Sequence, residues 1–451
     1  MINPVTLPEA FVLRMQQQLG DDYPGFEASL QQPPPVSIRL NPKKKSSMEG
    51  NPIPWCSTGL YLPIRPSFTL DPALHAGGYY VQEASSMFLE HAFRHLGLTN
   101  KPLRVLDLCG APGGKSTHII SLLHPESLLV TNEVIRMRAS ILVENMTKWG
   151  FPNVVVTNND PRDFHQLTGF FDVIVLDAPC SGEGLFRKEP ESVNSWSLQQ
   201  VEHCSMRQRR IIEDIWPCLK HNGVLLYSTC TYAEAENEEN IRWLLDNNYG
   251  ETIELNVPAE WNIQSVQKGD IQAYRFYPHH TNGEGFFMAT IRKTELQHEV
   301  LIKPKRTSRT AAVRETDELT NWLIHPEEYS INVQDEQVYF TPASQSEVMH
   351  YLQQHLRVLS NGTVMATRKG NRFVPEHSMA LSIALNRNTF NCLDVSLDQA
   401  REYLRKGNLA AKESSKGYTL VTWQELVLGW VNVLDNRINN LYPKEWRIRH
   451  L

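Results

Sequence analysis

A chain of 451 residues with 41% hydrophobic and 21% charged residues is too long for one core and has the composition of an ordinary globular protein of two or three domains. Its net charge of −6 argues against a surface that binds nucleic acid as a whole and leaves that task to local basic patches. No apolar run approaches the ~20 residues that span a bilayer, Met1-Ile2-Asn3-Pro4 does not open a signal peptide, and the seven cysteines form no CxxC pair or Cys/His cluster, so a cytoplasmic protein with reduced thiols and no metal is expected.

In chain order, residues 7–30 read as short helix, with Phe11, Val12, Met15 and Leu19 apolar, broken by Pro33-Pro34-Pro35. Ser37–Pro42 is a short strand closed by Asn-Pro, and a Lys-rich loop runs to about residue 53. Trp55–Leu70 reads as short strands, Asp71–His75 as a helical turn, and Tyr79–Ser86 leads into a helix ending near Leu96. A regular alternation follows: strand Leu103–Leu108, helix Gly114–Leu123, strand Leu128–Val134, helix Ile135–Trp149, strands Val154–Asn158 and Phe171–Leu176, helix Leu198–Leu219, strand Gly223–Ser228, helix Ala235–Asp246 and a late strand Gly285–Arg292. Such alternation predicts an α/β fold whose mainly parallel sheet is covered on both faces. A Lys/Arg/Thr/Ser-rich linker from about 296 to 314 then gives way to small α+β structure: strands at Leu356–Val364, Tyr418–Val421 and Val427–Val433, helices near Ser378–Leu385 and Ser396–Arg405. Basic clusters fall at Arg39 with Lys43–Lys45, at Lys303/Lys305/Arg306/Arg309, at Arg368/Lys369/Arg372 and at Lys444/Arg447/Arg449. Each alone is an ordinary solvated face; together they allow a basic track.

Chemistry gathers where strands end, because ligands of open α/β sheets bind outside the carboxyl ends of the strands. The first turn, Asp107-Leu108-Cys109-Gly110-Ala111-Pro112-Gly113-Gly114-Lys115-Ser116, is rich in glycine, which lets the backbone approach a ligand. It is no P-loop, since Cys109 stands where the first glycine is required, and no GxGxxG is present. Glu133 and Asp160 follow the next two strands. Either alone also suits a helix N-cap. Three acidic residues at three strand ends match a ligand that offers amino, hydroxyl and ammonium donors and no phosphate, such as S-adenosylmethionine. The fourth strand delivers Asp177-Ala178-Pro179-Cys180-Ser181-Gly182 and the fifth Ser228-Thr229-Cys230-Thr231-Tyr232, so two thiols are expected to meet beside one cofactor. A thiolate that adds to C6 of a cytosine turns the inert C5 into a nucleophile, which is covalent catalysis. A carboxyl such as Asp177 can hold the N3/N4 edge of that base.

These motifs resemble the signatures of the Nol/Nop/Sun family of RNA cytosine-5 methyltransferases, with Tyr79–Ser86, Phe186-Arg187-Lys188-Glu189-Pro190, Tyr277–His280 and Gly283–Phe287 matching its further motifs. Leu7-Pro8…Phe11, Arg39-Leu40-Asn41-Pro42 and Pro443–Arg447 are similar to its RsmF branch, which modifies 16S ribosomal RNA. The resemblance implies a Rossmann-like core at 96–295, an N-terminal RNA-binding extension at 1–95, a linker and small mixed domain at 296–355 and a PUA-like RNA-binding domain at 356–451. It implies Cys230 as nucleophile, Cys180 as the residue that assists release, and S-adenosylmethionine held by Cys109, Gly110, Ala111, Pro112, Gly113, Gly114, Lys115, Glu133, Asp160 and Asp177. DNA cytosine methyltransferases attack with a Pro-Cys thiol, which would point to Cys180; the Thr-Cys-Thr setting of Cys230 is what the RNA family requires. Where many relatives have Cys-Ala, this chain has Cys109-Gly110, a glycine expected to loosen the turn. Tyr79, Tyr80 and Phe186 are candidates to stack on a base or to pack a core. The substrate or partner implied is ribosomal RNA or the small subunit. Transfer RNA remains open, since the core motifs do not separate the two, as does a non-catalytic RNA-binding or assembly factor, although that would need neither thiol.

Overall fold

The computed structural model describes residues 6–247, 249–300, 317–409 and 416–449. The expected linker therefore lies, from residue 301 on, outside the described residues, and so does the basic cluster of Lys303, Lys305, Arg306 and Arg309.

Two short helices, α1 (Glu9–Leu19) and α2 (Tyr23–Leu30), open the chain. A four-stranded antiparallel sheet follows from β1 (Val36–Leu40), β2 (Asn51–Ile53), β3 (Cys56–Leu62) and, after α3 (Pro72–His75), β4 (Tyr79–Val81), in the order β2-β3-β1-β4. Phe11, Met15 and Phe26 do not pack against this sheet; they sit in a core cluster with Phe186, Trp196, Tyr232 and Tyr277, around the loops that carry the thiols.

Helix α4 (Leu89–His95) leads into the central layer: β5 (Arg104–Asp107), α5 (Gly114–Leu122), β6 (Leu128–Asn132), α6 (Arg136–Trp149), β7 (Val154–Thr157), β8 (Phe171–Asp177), α7 (Leu198–Ile215), β9 (Leu219–Thr229) and α8 (Glu238–Asp246). Strands β5 to β9 pair in parallel, and β6 and β7 are buried at every position, as a sheet covered on both faces requires. Beyond β9 the sheet turns antiparallel with β10 (Gly250–Thr252), β11 (Gln264–Lys268), β12 (Ile271–Phe276) and β13 (Phe286–Lys293), giving the order β11-β12-β13-β9-β8-β5-β6-β7 with β10 on β13. The first strand, β5, is central, and the chain crosses from β7 to β8 beside it, so β5 and β8 flank the point where strand order reverses.

After a one-turn helix α9 (Asp317–Thr320) come β14 (Tyr329–Gln334), β15 (Gln337–Pro342), α10 (Ser346–His355), β16 (Val358–Asn361), β17 (Thr363–Lys369), β18 (Arg372–Pro375), α11 (His377–Leu381), β19 (Asn391–Asp394), α12 (Leu397–Leu404), β20 (Gly417–Trp423), β21 (Leu426–Val433) and β22 (Ile438–Asn440). Two findings correct the boundary expected between residues 355 and 356. Sheet β14-β15-β17-β18 straddles it, and the single strand expected over Leu356–Val364 is two strands in two sheets. Strand β16 adds antiparallel to β7 of the central sheet, whereas β17 joins β15. Gly362 makes the switch possible in one residue, with φ +69° and no room for a Cβ, which would stand 2.4 Å from the Phe340 carbonyl oxygen. The last sheet, β19-β20-β21-β22, shares a core cluster with the N-terminal sheet, where Ile38 and Tyr79 pack with Tyr403, Val431 and Tyr442.

Candidate active site

Strands β5, β8 and β9 deliver their C-terminal ends side by side, and Asp107, the glycine turn, Asp177, Cys180 and Cys230 lie there. Asp107 is fully buried at the end of β5; its Oδ2 accepts from Ser116 Oγ at 2.6 Å, while Oδ1 is buried without a hydrogen-bond partner. Burial pushes this carboxyl up to about 7, against the pull of the Ser116 bond and with the negative charges of Asp177 and Glu133 reinforcing it. The glycine turn then runs into α5. Cys109, Pro112, Lys115 and Asp177 line one cleft with Tyr80 and Glu83. Lys115 Nζ pairs with Asp177 Oδ2 at 2.9 Å and lies 5.2 Å from the centre of the Phe286 ring. Burial alone would lower this ammonium, but the charge and hydrogen bond of Asp177 outweigh it and raise it, so Lys115 stays cationic.

Glu133, 2% exposed, uses Oε1 to accept from the Ile135 amide at 2.9 Å and Oε2 to pair with Arg138 at 3.1 Å, an arginine that also donates to the Ala111 carbonyl. Asp160 is placed differently from the strand-end position read in the sequence. β7 stops at Thr157, and Asp160 caps the short helix Pro161–Gln166, accepting from the Arg162 amide and pairing with the Arg162 guanidinium at 3.0 Å. Its carboxylate is turned to that cap, and, like Asp107, Gly113 and Glu133, it is not among the cleft-lining groups.

Gly110 does not loosen the turn. A Cβ there would stand 2.1 Å from Thr131 Oγ1 and 2.8 Å from Ser116 Oγ, so Thr131 occupies the space that a side chain would need. Gly110→Ala is therefore expected to destabilise the protein by about 1–3 kcal/mol, as overpacking does. Thr131→Ala should restore much of that loss; simple additivity of the two changes in denaturant unfolding would show that Thr131 is not what excludes the methyl group.

The two thiols meet. Cys180 Sγ and Cys230 Sγ are 3.2 Å apart, and neither is in a disulfide. The hydrogen bond to Cys230, together with burial, holds the Cys180 thiol well above its ordinary range, and either sulfur can be the donor of that bond. Asp177 joins this pair to the cleft, accepting from Ser228 Oγ at 2.9 Å across β8 and β9. Around the pair the loops are tightly held: the Gly184 amide donates to the Cys230 carbonyl at 2.8 Å, and buried Glu183 accepts from the Tyr232 amide, the Trp196 indole and Arg14 of α1.

Two groups of residues were invisible as a sequence pattern. Glu236, buried and pushed up to about 7 by that burial, binds Ser181 and Gln208 beside Cys180. Its only signal is an acidic residue six positions after Cys230. Cys56, Glu90 and His118 come together from β3, α4 and α5, with Cys56 Sγ and His118 Nε2 each 3.2 Å from Glu90 Oε2.

Several expected RNA contacts belong to the interior. Arg39 is fully buried, bonded to Gln82 and Thr117, with its guanidinium 4.6 Å over the Trp149 ring. Lys44 donates to the Ala76 and Lys148 carbonyls, and Tyr79 and Phe186 are core residues. Tyr80 is half-buried at the cleft. Of the basic clusters, the β17–β18 hairpin with Arg368, Lys369 and Arg372, and Lys444 and Arg449 near the end, are exposed. Among the described residues no helix is long and apolar enough to cross a membrane.

A parallel α/β sheet that turns antiparallel at β13, with a glycine turn and an acid-lined cleft at its carboxyl edge, defines a Rossmann-like methyltransferase core. Residues 95–292 match the family described as 16S rRNA methyltransferase RsmB/F, residues 7–84 the N-terminal domain of 16S rRNA methyltransferase RsmF, and residues 390–448 the methyltransferase RsmF PUA domain. The chain is 31% identical to ribosomal RNA small subunit methyltransferase F of Aliivibrio fischeri strain MJ11, covering 99% of this chain and 98% of that protein, and 30% identical to that of Cronobacter sakazakii, covering 98% and 96%. The chain thus belongs to the RsmF family of 16S rRNA methyltransferases. Among solved structures, a methyltransferase homologue from Pyrococcus horikoshii superposes with a TM-score of 0.55 at 28% identity, over 64% of this chain and 96% of that one. NSun6 from Pyrococcus horikoshii, solved with SFG, shares the fold, with a TM-score of 0.56 at 22% identity over 65% of this chain and 100% of that one.

Proposed function

We propose that the chain methylates C5 of a cytosine in 16S ribosomal RNA, drawing the methyl group from S-adenosylmethionine and passing through a covalent bond between Cys230 and C6 of the base. The observation that carries this reading is the pair of thiols 3.2 Å apart at the ends of adjacent strands, next to an acid-lined cleft. The cleft suits the cofactor: Glu83 and Asp177 line it with the glycine turn, and behind it Asp107 Oδ1 is buried without a hydrogen-bond partner; Glu133 and Asp177 could accept from hydroxyl and ammonium donors in exchange for Arg138 and Lys115. Cys109 to Lys115, Glu133 and Asp177 would hold it; Asp160 would join them by releasing Arg162. When bound, S-adenosylmethionine supplies the electrophilic sulfonium methyl that C5 takes up.

The geometry supports the following roles for the chain's own residues. Cys230 is read as the attacking sulfur, with Cys180 Sγ 3.2 Å away as its hydrogen-bond partner and the Lys115 ammonium close enough for its field to reach it. Addition of the Cys230 thiolate to C6 places an electron pair on C5. After the methyl group is on C5, a base takes the C5 proton, the C5–C6 double bond reforms and the C6–S bond breaks, its electron pair returning to Cys230. Cys180 then serves the departing thiolate as hydrogen-bond donor. The target base must be out of its stack to reach this depth. The exposed Arg368, Lys369 and Arg372, with Lys444 and Arg449, are suited to hold phosphates. Strand β16 on β7 fixes that end of the chain to the catalytic sheet. Bisulfite sequencing of total RNA from cells with and without the gene tests the proposal. The expected result is loss of cytosine methylation at a site in 16S rRNA; loss confined to transfer RNA, or no loss at all, would refute it.

A further inference from the structure

We infer that Glu236 is the positioning residue of Cys180, acting through Ser181 and Gln208, and that it governs release of the methylated base and leaves the attack by Cys230 untouched. This rests on the assignment of Cys180 to release made above.

The hydrogen bonds around Glu236 converge on the residues that flank Cys180. The Ser181 amide donates to Glu236 Oε2 at 2.9 Å, and Ser181 Oγ donates to Oε1. Gln208 of α7 donates from one Nε2 both to Glu236 Oε2, at 2.9 Å, and to the Pro179 carbonyl, at 3.1 Å. The residue before Cys180 and the residue after it are therefore fixed by one carboxylate, directly or through one amide. Glu236 itself does not move freely: its backbone carbonyl accepts from Tyr227 Oη at 2.6 Å, Tyr227 lies in β9, and the carboxylate is fully buried. A buried carboxylate is costly unless its oxygens are used, and here both are used on this one loop.

Cys230 is held by other means. It follows β9 directly, its carbonyl accepts from the Gly184 amide, and no hydrogen bond from Glu236 reaches residues 229 or 230. Of the links that cross between the two loops, one runs through Ser181: its Oγ lies 3.0 Å from Thr231 Oγ1, and the Ala233 amide donates to Thr231 Oγ1. Since Ser181 gives its hydroxyl proton to Glu236, it accepts from Thr231, so the carboxylate sets the direction of that bridge. The loop of Cys180 follows a proline and precedes Gly182 at φ +74°, and it has no strand of its own to fix it. Removing the carboxylate should let Cys180 swing away from Cys230 while β9 keeps Cys230 in place.

The expected consequence is specific. A residue needed only for folding would lower turnover without changing which step is slow. A residue that positions Cys180 slows the release step, so the covalent protein–RNA species builds up. Misplacement of a reacting group by about 1 Å costs roughly 100-fold, which puts release in Glu236→Ala between roughly 10- and 100-fold slower. The experiment incubates the full chain with S-adenosylmethionine and small-subunit rRNA from cells lacking the gene, and reads the covalent species on a denaturing gel beside methyl incorporation. Glu236→Ala should show a covalent band absent from the wild type, KM for RNA unchanged within about twofold, and no band once Cys230→Ala is added. Glu236→Gln keeps the volume and one acceptor oxygen and should give a weaker band; it carries the test alone if Glu236→Ala does not fold. A band in Cys180→Ala but none in either Glu236 variant overturns the positioning role. No band in Cys180→Ala overturns the release assignment on which the inference rests, and the inference with it.

Discussion

Cys230→Ala is expected to abolish methyl transfer while leaving affinity for S-adenosylmethionine within about twofold. The sulfur lies just past the end of β9 and touches Cys180, whereas the cleft is lined by the turn from Cys109 to Lys115, by Asp177 and by residues of Tyr80–Ser86, so removing one Sγ leaves the cleft intact. On the proposed mechanism, loss of the Cys230 sulfur removes the step that makes C5 nucleophilic. The companion change behaves differently. Cys180→Ala leaves the nucleophile and removes the donor that serves the departing thiolate. A hydrogen bond to a charged group contributes about 1.5–3 kcal/mol, which corresponds to release slower by roughly 10- to 100-fold. Attack continues, so protein–RNA adduct should accumulate and be visible on a denaturing gel, with isothermal titration supplying the cofactor affinity for both variants. Adduct in Cys230→Ala and none in Cys180→Ala would exchange the two roles. Retained turnover in Cys230→Ala would remove the covalent mechanism altogether.

The contrast between these variants was legible in the sequence because it depends on strand ends. Apolar runs fixed β8 and β9, parallel pairing puts their ends together, and the thiols just beyond them had to meet. The same reasoning was weaker wherever a side chain's partner comes from far along the chain. Arg39 and Lys44 read as a basic patch with Lys43 and Lys45, yet Arg39 reaches Thr117 and Lys44 reaches the carbonyl of Lys148, contacts some 78 and 104 residues away in sequence. Charge counts cannot reveal that an arginine closes over a tryptophan. Asp160 fits the acid-at-a-strand-end pattern and equally the N-cap pattern; a proline and an arginine directly after it favour the cap. Gly110 looked like slack because the residue that fills its space, Thr131, belongs to the next strand. Strand β16 pairs with β7 some 200 residues earlier, and nothing in Val358–Asn361 distinguishes an edge addition to the central sheet from a strand of its own domain. Glu236 was missed for a related reason: its importance lies in what it brackets, and Ser181 and Pro179 are about 55 residues upstream.

Acid should loosen the junction between the N-terminal sheet and the last sheet. Two histidines sit at that junction. His75, 7% exposed at the end of α3, has its ring bonded to the Thr69 carbonyl at 2.9 Å, and Tyr442 Oη lies 3.3 Å from its other nitrogen. His377, at the start of α11, packs edge-on against Tyr442 and Trp446, and both its nitrogens are buried without a hydrogen-bond partner. Burial lowers His75 to about 4 and His377 to about 3, and the positive charges of Lys148, Lys44 and Lys406 add to the effect at His377. Both are bases whose folded value lies below the unfolded one, near 6.5. At pH 7 they are neutral in both states and contribute almost nothing. As the pH falls through 6.5, the unfolded chain takes up protons that the folded chain refuses, so stability is lost progressively down to pH 4 or 3. At pH 5 the loss is about 2 kcal/mol for each histidine. Denaturant unfolding at pH 7.5 and 5.0 should show this, with hydrogen exchange rising in α3 and α11. His377→Leu removes one titrating group from the junction and should flatten the pH dependence by about 2 kcal/mol over that interval. An unchanged dependence in His377→Leu would mean that the folded ring takes up its proton as readily as the unfolded one, so that its burial does not lower it.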